Sequence, residues 1–134
     1  MRPASKLGGM ANQIQLTVTA TVTQGSFKDT IAPGQLTVPL TAQGYAAGLQ
    51  EIGFAAAENV TYDDVAAADV GWCFLQNMDA TNYVDYGVND TGSLKAIGRL
   101  LPGEYALIRI KPSAQLMAQA NVAAVKVLKK IYRA

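Results

Sequence analysis

Apolar and polar side chains alternate along two stretches near the start of the chain, and this pattern predicts β-strands. From Ile14 to Val22 every second residue is aliphatic or Ala, and the residues between them are Gln or Thr. Residues 35–41 follow the same pattern. A period of two places successive side chains on opposite faces of a strand, so each stretch has one apolar and one polar face. Pro39 cannot donate a ladder hydrogen bond, which predicts the edge of a sheet.

The second half of the chain reads as a series of short strands separated by tight turns. The turns are predicted at Asn89–Gly92 and at Pro102-Gly103. Asn, Asp and Gly tolerate positive φ, and Pro followed by Gly suits a type II turn. Aromatic and β-branched residues between the turns favour a pleated surface. Strands are therefore predicted at residues 72–76, 83–88, 94–101 and 104–110, with shorter ones at 49–54 and 59–62.

The C-terminal segment fits two patterns. Val125, Leu128 and Tyr132 recur at helical spacing, yet the same segment also alternates as a strand would. We favour two strands, at residues 115–120 and 123–132, over a terminal amphipathic helix. With these, the chain has about eight strands, which predicts an all-β fold, an antiparallel β-sandwich or jelly roll. The predicted core residues are Ile14, Leu16, Val18, Leu36, Val38, Phe74, Val84, Leu107 and Ile110.

The chain is predicted to consist of a flexible arm, residues 1–11, and a single sandwich domain, residues 12–134. The arm contains Pro, Ser and paired Gly and cannot bury enough apolar surface to fold alone. We expect it to become ordered only against a neighbouring subunit, unless it is a dispensable extension ahead of a second start at Met10. The candidate partner-contact residues, in the arm and in the basic C-terminal segment, are Arg2, Lys6, Leu7, Met10, Lys126, Lys130 and Arg133.

Composition excludes several classes of partner. Half of the 134 residues are hydrophobic, 16% are charged, and the formal net charge is +1. A charge so close to zero gives no electrostatic basis for binding nucleic acid or an acidic membrane. No apolar run approaches the roughly 20 residues that a membrane-spanning helix needs. We therefore expect neither nucleic acid nor membrane as a partner.

The residue types that carry most enzyme chemistry are scarce. The chain contains no His and one Cys, Cys73. Without His, the usual general base near neutral pH, most zinc sites and every Ser-His or Cys-His dyad are excluded. The acidic cluster at Glu58, Asp63, Asp64 and Asp69 lacks the spacing of a calcium loop. We expect no enzymatic activity, no metal and no organic cofactor, and a buried, inert thiol at Cys73.

Aromatic residues in the predicted hairpins allow two interpretations. Trp72, Tyr83, Tyr86 and Tyr105 could form a platform on which a sugar stacks, as in sandwich lectins. Aromatic residues of a small sheet are more often core or subunit interface, and that interpretation is favoured here.

Two segments resemble a known group of proteins. The segments are Phe74–Val84, with the sequence FLQNMDATNYV, and Arg99–Leu107, with the sequence RLLPGEYAL. They resemble small virion-associated proteins of tailed bacteriophages, and the similarity runs from about Met10 to the end of the chain. Where that group has Arg before the first Asn of the motif, this chain has Gln76.

This resemblance implies a non-enzymatic structural protein of the virion, made in the cytoplasm of the bacterial host. The role implied first is a capsid decoration, or cement, protein that stabilises the coat lattice. A tail or head–tail connector component and a carbohydrate-binding module for host recognition stay open as alternatives. The expected partners are further copies of the chain, as a trimer first and a dimer second, and the phage major capsid protein or another virion protein.

Overall fold

The first part of the chain forms an antiparallel ribbon that is built from two pairs of short strands. The computed structural model describes residues 13–39 and 45–133. The four ribbon strands are β1 (Gln13–Thr17), β2 (Ala20–Gln24), β3 (Phe27–Ile31) and β4 (Gln35–Pro39). Strand β1 pairs with β4, and β2 pairs with β3 across a two-residue turn in which Gly25 has a φ of +59°. Residues 18–19 and 32–34 connect the two pairs.

The register of the ribbon places apolar residues opposite one another. Ile14 faces Val38 and Leu16 faces Leu36, while Gln15 faces Thr37. Directly opposite residues share a face, so this strand pair has one apolar and one polar face. The apolar side chains are only partly covered, and Leu36 is 52% exposed. The alternating stretch from Ile14 to Val22 forms two strands, β1 and β2, and not one, because residues 18–19 interrupt it. The alternating pattern thus forms strands without burying them.

The remaining strands form two four-stranded antiparallel sheets that pack against each other. We call the first the front sheet; its strand order is β10 (Tyr105–Arg109), β7 (Val70–Asn77), β12 (Val125–Arg133) and β5 (Tyr45–Ile52). The second, the back sheet, has the order β6 (Glu58–Asn59), β11 (Leu116–Ala120), β8 (Val84–Asp90) and β9 (Ser93–Leu100). One short 3-10 helix, Ala67–Asp69, precedes β7. The predicted all-β sandwich is confirmed.

The core lies between the two sheets and is aliphatic. Ile52, Val125 and Ile131 of the front sheet have no exposed surface, and Leu75 and Val84 are 1% exposed. Burying each such side chain contributes about 1.5–3 kcal/mol. Alternation in β12 places Val125, Val127 and Ile131 inside, so the strand interpretation of the C-terminal segment is confirmed and the helix is wrong.

The predicted core was right in the sandwich and wrong elsewhere. Val84 and Ile110 are buried, but Leu107 is 37% exposed and Phe74 is half-buried, because both lie on the outer face of the front sheet. In the ribbon, Val18 is 49% exposed and Leu36 is 52% exposed, and Ile14, Leu16 and Val38 are only partly buried. Alternation identifies the apolar face of a strand but does not reveal whether a second layer covers it.

The chain divides into two compact units, residues 1–43 and 44–134. The sequence had suggested one sandwich domain over residues 12–134. The predicted arm, residues 1–11, lies outside the described residues. Strand β12 is not a sheet edge, since it pairs with β5 on one side and with β7 on the other. Among the described strands, the edges of the two sheets are instead β5, β6, β9 and β10.

Candidate interaction surfaces

The motif that carries the phage resemblance folds around one buried amide. Asn77, at the end of β7, has no exposed surface. Its Nδ2 donates to the carbonyl oxygens of Asn82 (2.8 Å) and Leu100 (2.9 Å), and its Oδ1 accepts from the backbone N–H of Asp79 (2.8 Å). A buried amide whose donors and acceptor are paired holds these segments in one arrangement. Asn77 therefore organises the loop of residues 78–83.

Asp79 holds the same loop from its exposed side. Its Oδ2 accepts from the backbone N–H groups of Asn82 (2.6 Å) and Thr81 (3.0 Å). These two hydrogen bonds, that of Asn82 first, lower the pKa of Asp79 below its ordinary value. An Asp in a turn commonly caps the local backbone in this way, and the carboxylate is engaged by the backbone of its own loop.

The second half of the motif lies beside the first. The backbone N–H of Gly103 donates to Asn77 O (3.0 Å), and the backbone N–H of Asn77 donates to Glu104 O (2.9 Å). Gly103 has a φ of +82°, which explains the glycine at the predicted turn. Glu104 closes the turn, because its Oε1 accepts from the backbone N–H of Leu101 (2.8 Å). The two motif segments thus form one structural corner, and its side chains bind backbone groups of this chain.

The predicted basic contact residues of the C-terminus are divided between the two sides of β12. Lys126 and Lys130 are exposed on the outer face of the front sheet. Arg133 is half-buried, and its Nη2 lies 3.1 Å from Asp69 Oδ2. Lys126 and Lys130 therefore share a surface that Arg133 does not. Arg2, Lys6, Leu7 and Met10 lie outside the described residues.

Lys129 is a buried cation that the sequence did not reveal. It is 3% exposed, and its Nζ donates to the carbonyl oxygen of Thr61 (2.6 Å), to the Thr61 hydroxyl and to Gln50 Oε1 (3.2 Å). Asp63 Oδ2 lies 3.4 Å away. The strand period alone places Lys129 inward, but its partners come from a loop more than 60 residues earlier, which no local pattern indicates.

The outer face of the front sheet carries an apolar patch. The register places Phe74 beside Leu107 and Trp72 beside Arg109, with all four side chains pointing away from the core. The Phe74 and Tyr105 rings stack at 5.9 Å with 29° between their planes. We call this surface the outer patch; its members are Leu49, Trp72, Phe74, Tyr105, Leu107 and Leu128. Tyr105 is 68% exposed and Leu49 is 60% exposed, so the patch is open to a partner.

The predicted aromatic platform is therefore split. Trp72 and Tyr105 lie in the outer patch, whereas Tyr83 lies under the Arg99 guanidinium, whose carbon is 3.8 Å from the ring centroid. Arg99 in turn pairs with Asp85, with its Nε 2.7 Å from Asp85 Oδ1. Tyr86 packs against the core of the sandwich. Phe74, a predicted core residue, lies beside Tyr105 where Tyr83 and Tyr86 were expected.

Most of the acidic cluster that the sequence offered is engaged by other groups of the chain. Asp63 and Asp69 of the acidic cluster face Lys129 and Arg133, and Glu58 accepts the backbone N–H of Gly53 (2.8 Å). Within residues 13–39 and 45–133, no three His, Cys, Asp or Glu side chains are placed to share a metal ion. Burial raises the pKa of the Cys73 thiol to about 12, which keeps it protonated and unreactive.

Among the described strands, β10 pairs with β7 alone, which leaves its other edge open. The backbone N–H of Ile110 donates to Gly71 O, and Glu104 O accepts from the N–H of Asn77. In an antiparallel ladder the bonded residues alternate, so the even-numbered residues of this segment face β7. The N–H and C=O groups of Tyr105, Leu107 and Arg109 therefore point away from the sheet.

A groove lies next to this edge, between the two sheets. Its volume is about 220 Å³. Its main lining residues are Ile97, Ile108, Ile110, Leu116, Arg109 and Lys111. The groove is thus lined mainly by aliphatic residues. The two cationic residues among its lining are Arg109, on β10, and Lys111, just after that strand.

Comparisons with models of protein families, with curated proteins and with solved structures found no match to this chain. Among the described residues, no helix is long and apolar enough to cross a membrane. The surfaces available for function are therefore read from the chain itself: the ribbon, the outer patch and the open β10 edge. Each of these can bind another polypeptide.

Proposed function

We propose that this chain is a non-enzymatic structural protein of a tailed-bacteriophage virion, and that it decorates the capsid as a cement protein. The observation that carries the proposal is the amount of apolar side chain left exposed in both units. Phe27, Ile31 and Leu36 of the ribbon are more than half exposed, and so are Leu49 and Tyr105 of the outer patch. Exposed apolar patches of this kind mark surfaces that bind other proteins.

The sequence motif supports the proposal in a different way. The segments that resemble virion proteins form the corner around Asn77, whose hydrogen bonds are internal to the fold. The resemblance therefore concerns the scaffold. Partner contact falls to the exposed surfaces.

A decoration protein of this kind acts by mass action. It binds the assembled coat and not the loose coat subunits, which stabilises the assembled state. Self-association would add valency, because several copies that contact neighbouring coat subunits raise the effective concentration of each contact. We propose a homo-oligomer, a trimer first and a dimer second, since closed rotational symmetry would match a symmetric shell.

Adding the purified chain to particles that lack it tests the proposal. We expect saturable binding at every equivalent lattice position, together with increased heat resistance of the particle. Electron microscopy of the intact virion locates the bound copies. Binding at one vertex or along the tail would instead indicate the connector or tail component, and absence of binding to any virion part would contradict the proposal.

One observation favours carbohydrate binding as a second candidate. The exposed Tyr105 ring stacks on Phe74. Trp72, with Arg109 beside it, lies on the same face of the sheet, two residues before Phe74 in β7. Aromatic faces of this kind also stack on sugars. A glycan array separates the two functions: selective binding that Tyr105→Ala abolishes would support host recognition, and a blank array would count against it.

A further inference from the structure

We infer that the open edge of β10 accepts an extended strand from a partner protein, and that this strand carries aliphatic residues alternating with carboxylates. The inference deepens the proposed function and rests on it, because it names the surface through which the chain would bind another virion protein.

The hydrogen-bonding groups of the edge provide the first argument. The outward N–H and C=O groups of Tyr105, Leu107 and Arg109 form the pattern to which an antiparallel strand adds. All three residues are exposed. Strand addition of this kind obtains affinity from main-chain hydrogen bonds and specificity from pockets for alternate side chains.

Two of the other three edges of the sandwich are protected, and this provides the second argument. Strand β9 carries Lys95 and Arg99 and a bulge opposite Tyr86/Gly87, and β6 has two residues. Strand β5, with the sequence YAAGLQEI, has no cation and carries Glu51, so it does not attract a carboxylate-bearing strand. Bulges, charges, short strands and covering segments are the devices that prevent edge pairing. Strand β10, with the sequence YALIR, has no Pro, and its pairing with β7 runs without a register shift.

The groove defines the chemistry of the partner strand. An apolar cavity of about 150 Å³ accepts a ligand the size of benzene, so the groove of about 220 Å³ has room for one or two aliphatic side chains. The Arg109 side chain lies on the outer face of the sheet beside Trp72, and together with Lys111 it adds positive charge next to the β10 edge. In the part of the chain that the structure describes, neither forms an ion pair, whereas Lys95 and Arg99 of β9 pair with Asp90 and Asp85. Carboxylates on the incoming strand would complement these two cations.

The test uses two synthetic peptides of eight residues, one in which Val and Glu alternate and a counterpart in which Lys replaces Glu. We expect the Glu peptide to shift the amide resonances of Tyr105, Leu107 and Arg109 in the intact protein, and to bind at least tenfold more tightly than the Lys peptide. Shifts confined to the ribbon or to strands β12 and β5, or no shift at millimolar peptide, would overturn the inference.

Two variants sharpen the test. Leu107→Pro removes an outward N–H and leaves the bonds to β7 intact, since Pro is tolerated on a strand edge, and we expect it to weaken binding of the Glu peptide at least tenfold. Leu107→Val keeps the N–H and should bind within threefold of the wild type. Equal binding by the Pro variant would overturn the inference. If this variant does not fold, the surface variant Arg109→Glu/Lys111→Glu tests the inference instead. It should bind the Lys peptide more tightly than the Glu peptide. An unchanged preference for the Glu peptide would contradict the inference.

The two proposals fail separately. If the Leu107→Pro variant decorates particles as well as the wild-type chain does, the virion function stands and the inference about the β10 edge is overturned. A wild-type chain that binds no particle would count against the virion function, while the peptide titration still decides the edge. If the free chain forms a dimer and Leu107→Pro dissociates it, the occupant of the edge is a second copy of the chain. That result would overturn the inference as stated.

Discussion

The ribbon and the sandwich contain the same local sequence pattern and give it opposite outcomes. In β12 the alternating Val125 and Ile131 are fully buried, whereas in the ribbon Val18 and Leu36 are about half exposed. Both segments form antiparallel strands with one apolar face. The difference is the second sheet, which covers β12. Alternation therefore determines the strand, and long-range packing determines whether the strand contributes to a core.

This difference has an energetic consequence. An isolated two-stranded hairpin is marginally stable in water, because few of its apolar groups leave the solvent. The sandwich has a continuous aliphatic core and needs no such support. We expect the free energy of unfolding to come mainly from the sandwich, and the ribbon to contribute mainly through what it binds.

The largest expected effect contrasts one residue from each region. Ile131→Ala removes a fully buried side chain and should lower the free energy of unfolding by about 3–4 kcal/mol. Leu36→Ala removes a side chain that is 52% exposed and should cost below about 1 kcal/mol. Urea unfolding followed by circular dichroism measures both. Similar losses in the two variants would contradict the comparison.

The next effect tests the corner around Asn77. Asn77→Ala leaves the carbonyl oxygens of Asn82 and Leu100 and the N–H of Asp79 without their partner, and should destabilise by about 2–3 kcal/mol. Gln35→Ala, which removes an exposed amide of the ribbon outside the corner, is the control. It should cost less than about 1 kcal/mol. An Asn77→Ala loss no larger than that of the control would show that the motif has another role.

A smaller effect depends on pH. The pKa of Asp79 is lowered in the folded chain below its ordinary value of 3.8, so the unfolded chain takes up this proton first as the pH falls. The stabilising effect of the ionised Asp79 carboxylate is therefore present above pH 3.8. It is lost as the pH falls through the lower pKa that Asp79 has in the folded chain. Asp79→Asn should be less stable than the wild type at neutral pH, and the difference should shrink below pH 3.8. A difference independent of pH would contradict this.

The smallest effect on stability should accompany a large effect on binding. Leu36→Lys places a charge on the apolar face of the ribbon and should change the free energy of unfolding by less than about 0.5 kcal/mol. We expect it to abolish self-association or particle binding. Thr37→Lys, on the polar face, should leave both intact. Sedimentation and a particle-binding assay measure the outcome, and equal behaviour of the two variants would argue against a ribbon interface.

The sequence was sufficient for the features that depend on neighbouring residues. Positive φ values at Thr91 and Gly92 and at Gly103 occur in the two predicted turns, because a turn requires particular residues at fixed positions. The strands β1, β4 and β12 follow from alternation. Strand β3 was missed, since Lys28-Asp29-Thr30 between Phe27 and Ile31 interrupts the apolar pattern. It forms because Gly25 allows a tight turn and β2 supplies the hydrogen-bonding partner.

The candidate surfaces were harder to predict. The outer patch requires the register of β7 against both β10 and β12, which joins residues far apart in sequence. Lys126 and Lys130, two of the candidate contact residues, are exposed. Lys129, from the same basic run, lies inside because Thr61 and Gln50 surround its ammonium group. A charge run alone does not distinguish an exposed cation from one enclosed by a distant loop.

The central position of β12 has a consequence for synthesis of the chain. This strand is the last of the described strands, yet it forms hydrogen bonds with β5 and β7 on its two sides. Until Arg133 has left the ribosome, β5 and β7 lack the strand that joins them, and the front sheet remains in two parts. The apolar residues that later form the core are then open to chaperones and to neighbouring nascent chains. A premature stop that removes only β12 should therefore give an aggregating fragment, whereas a ribosome that stalls after β12 has emerged should display a closed sandwich.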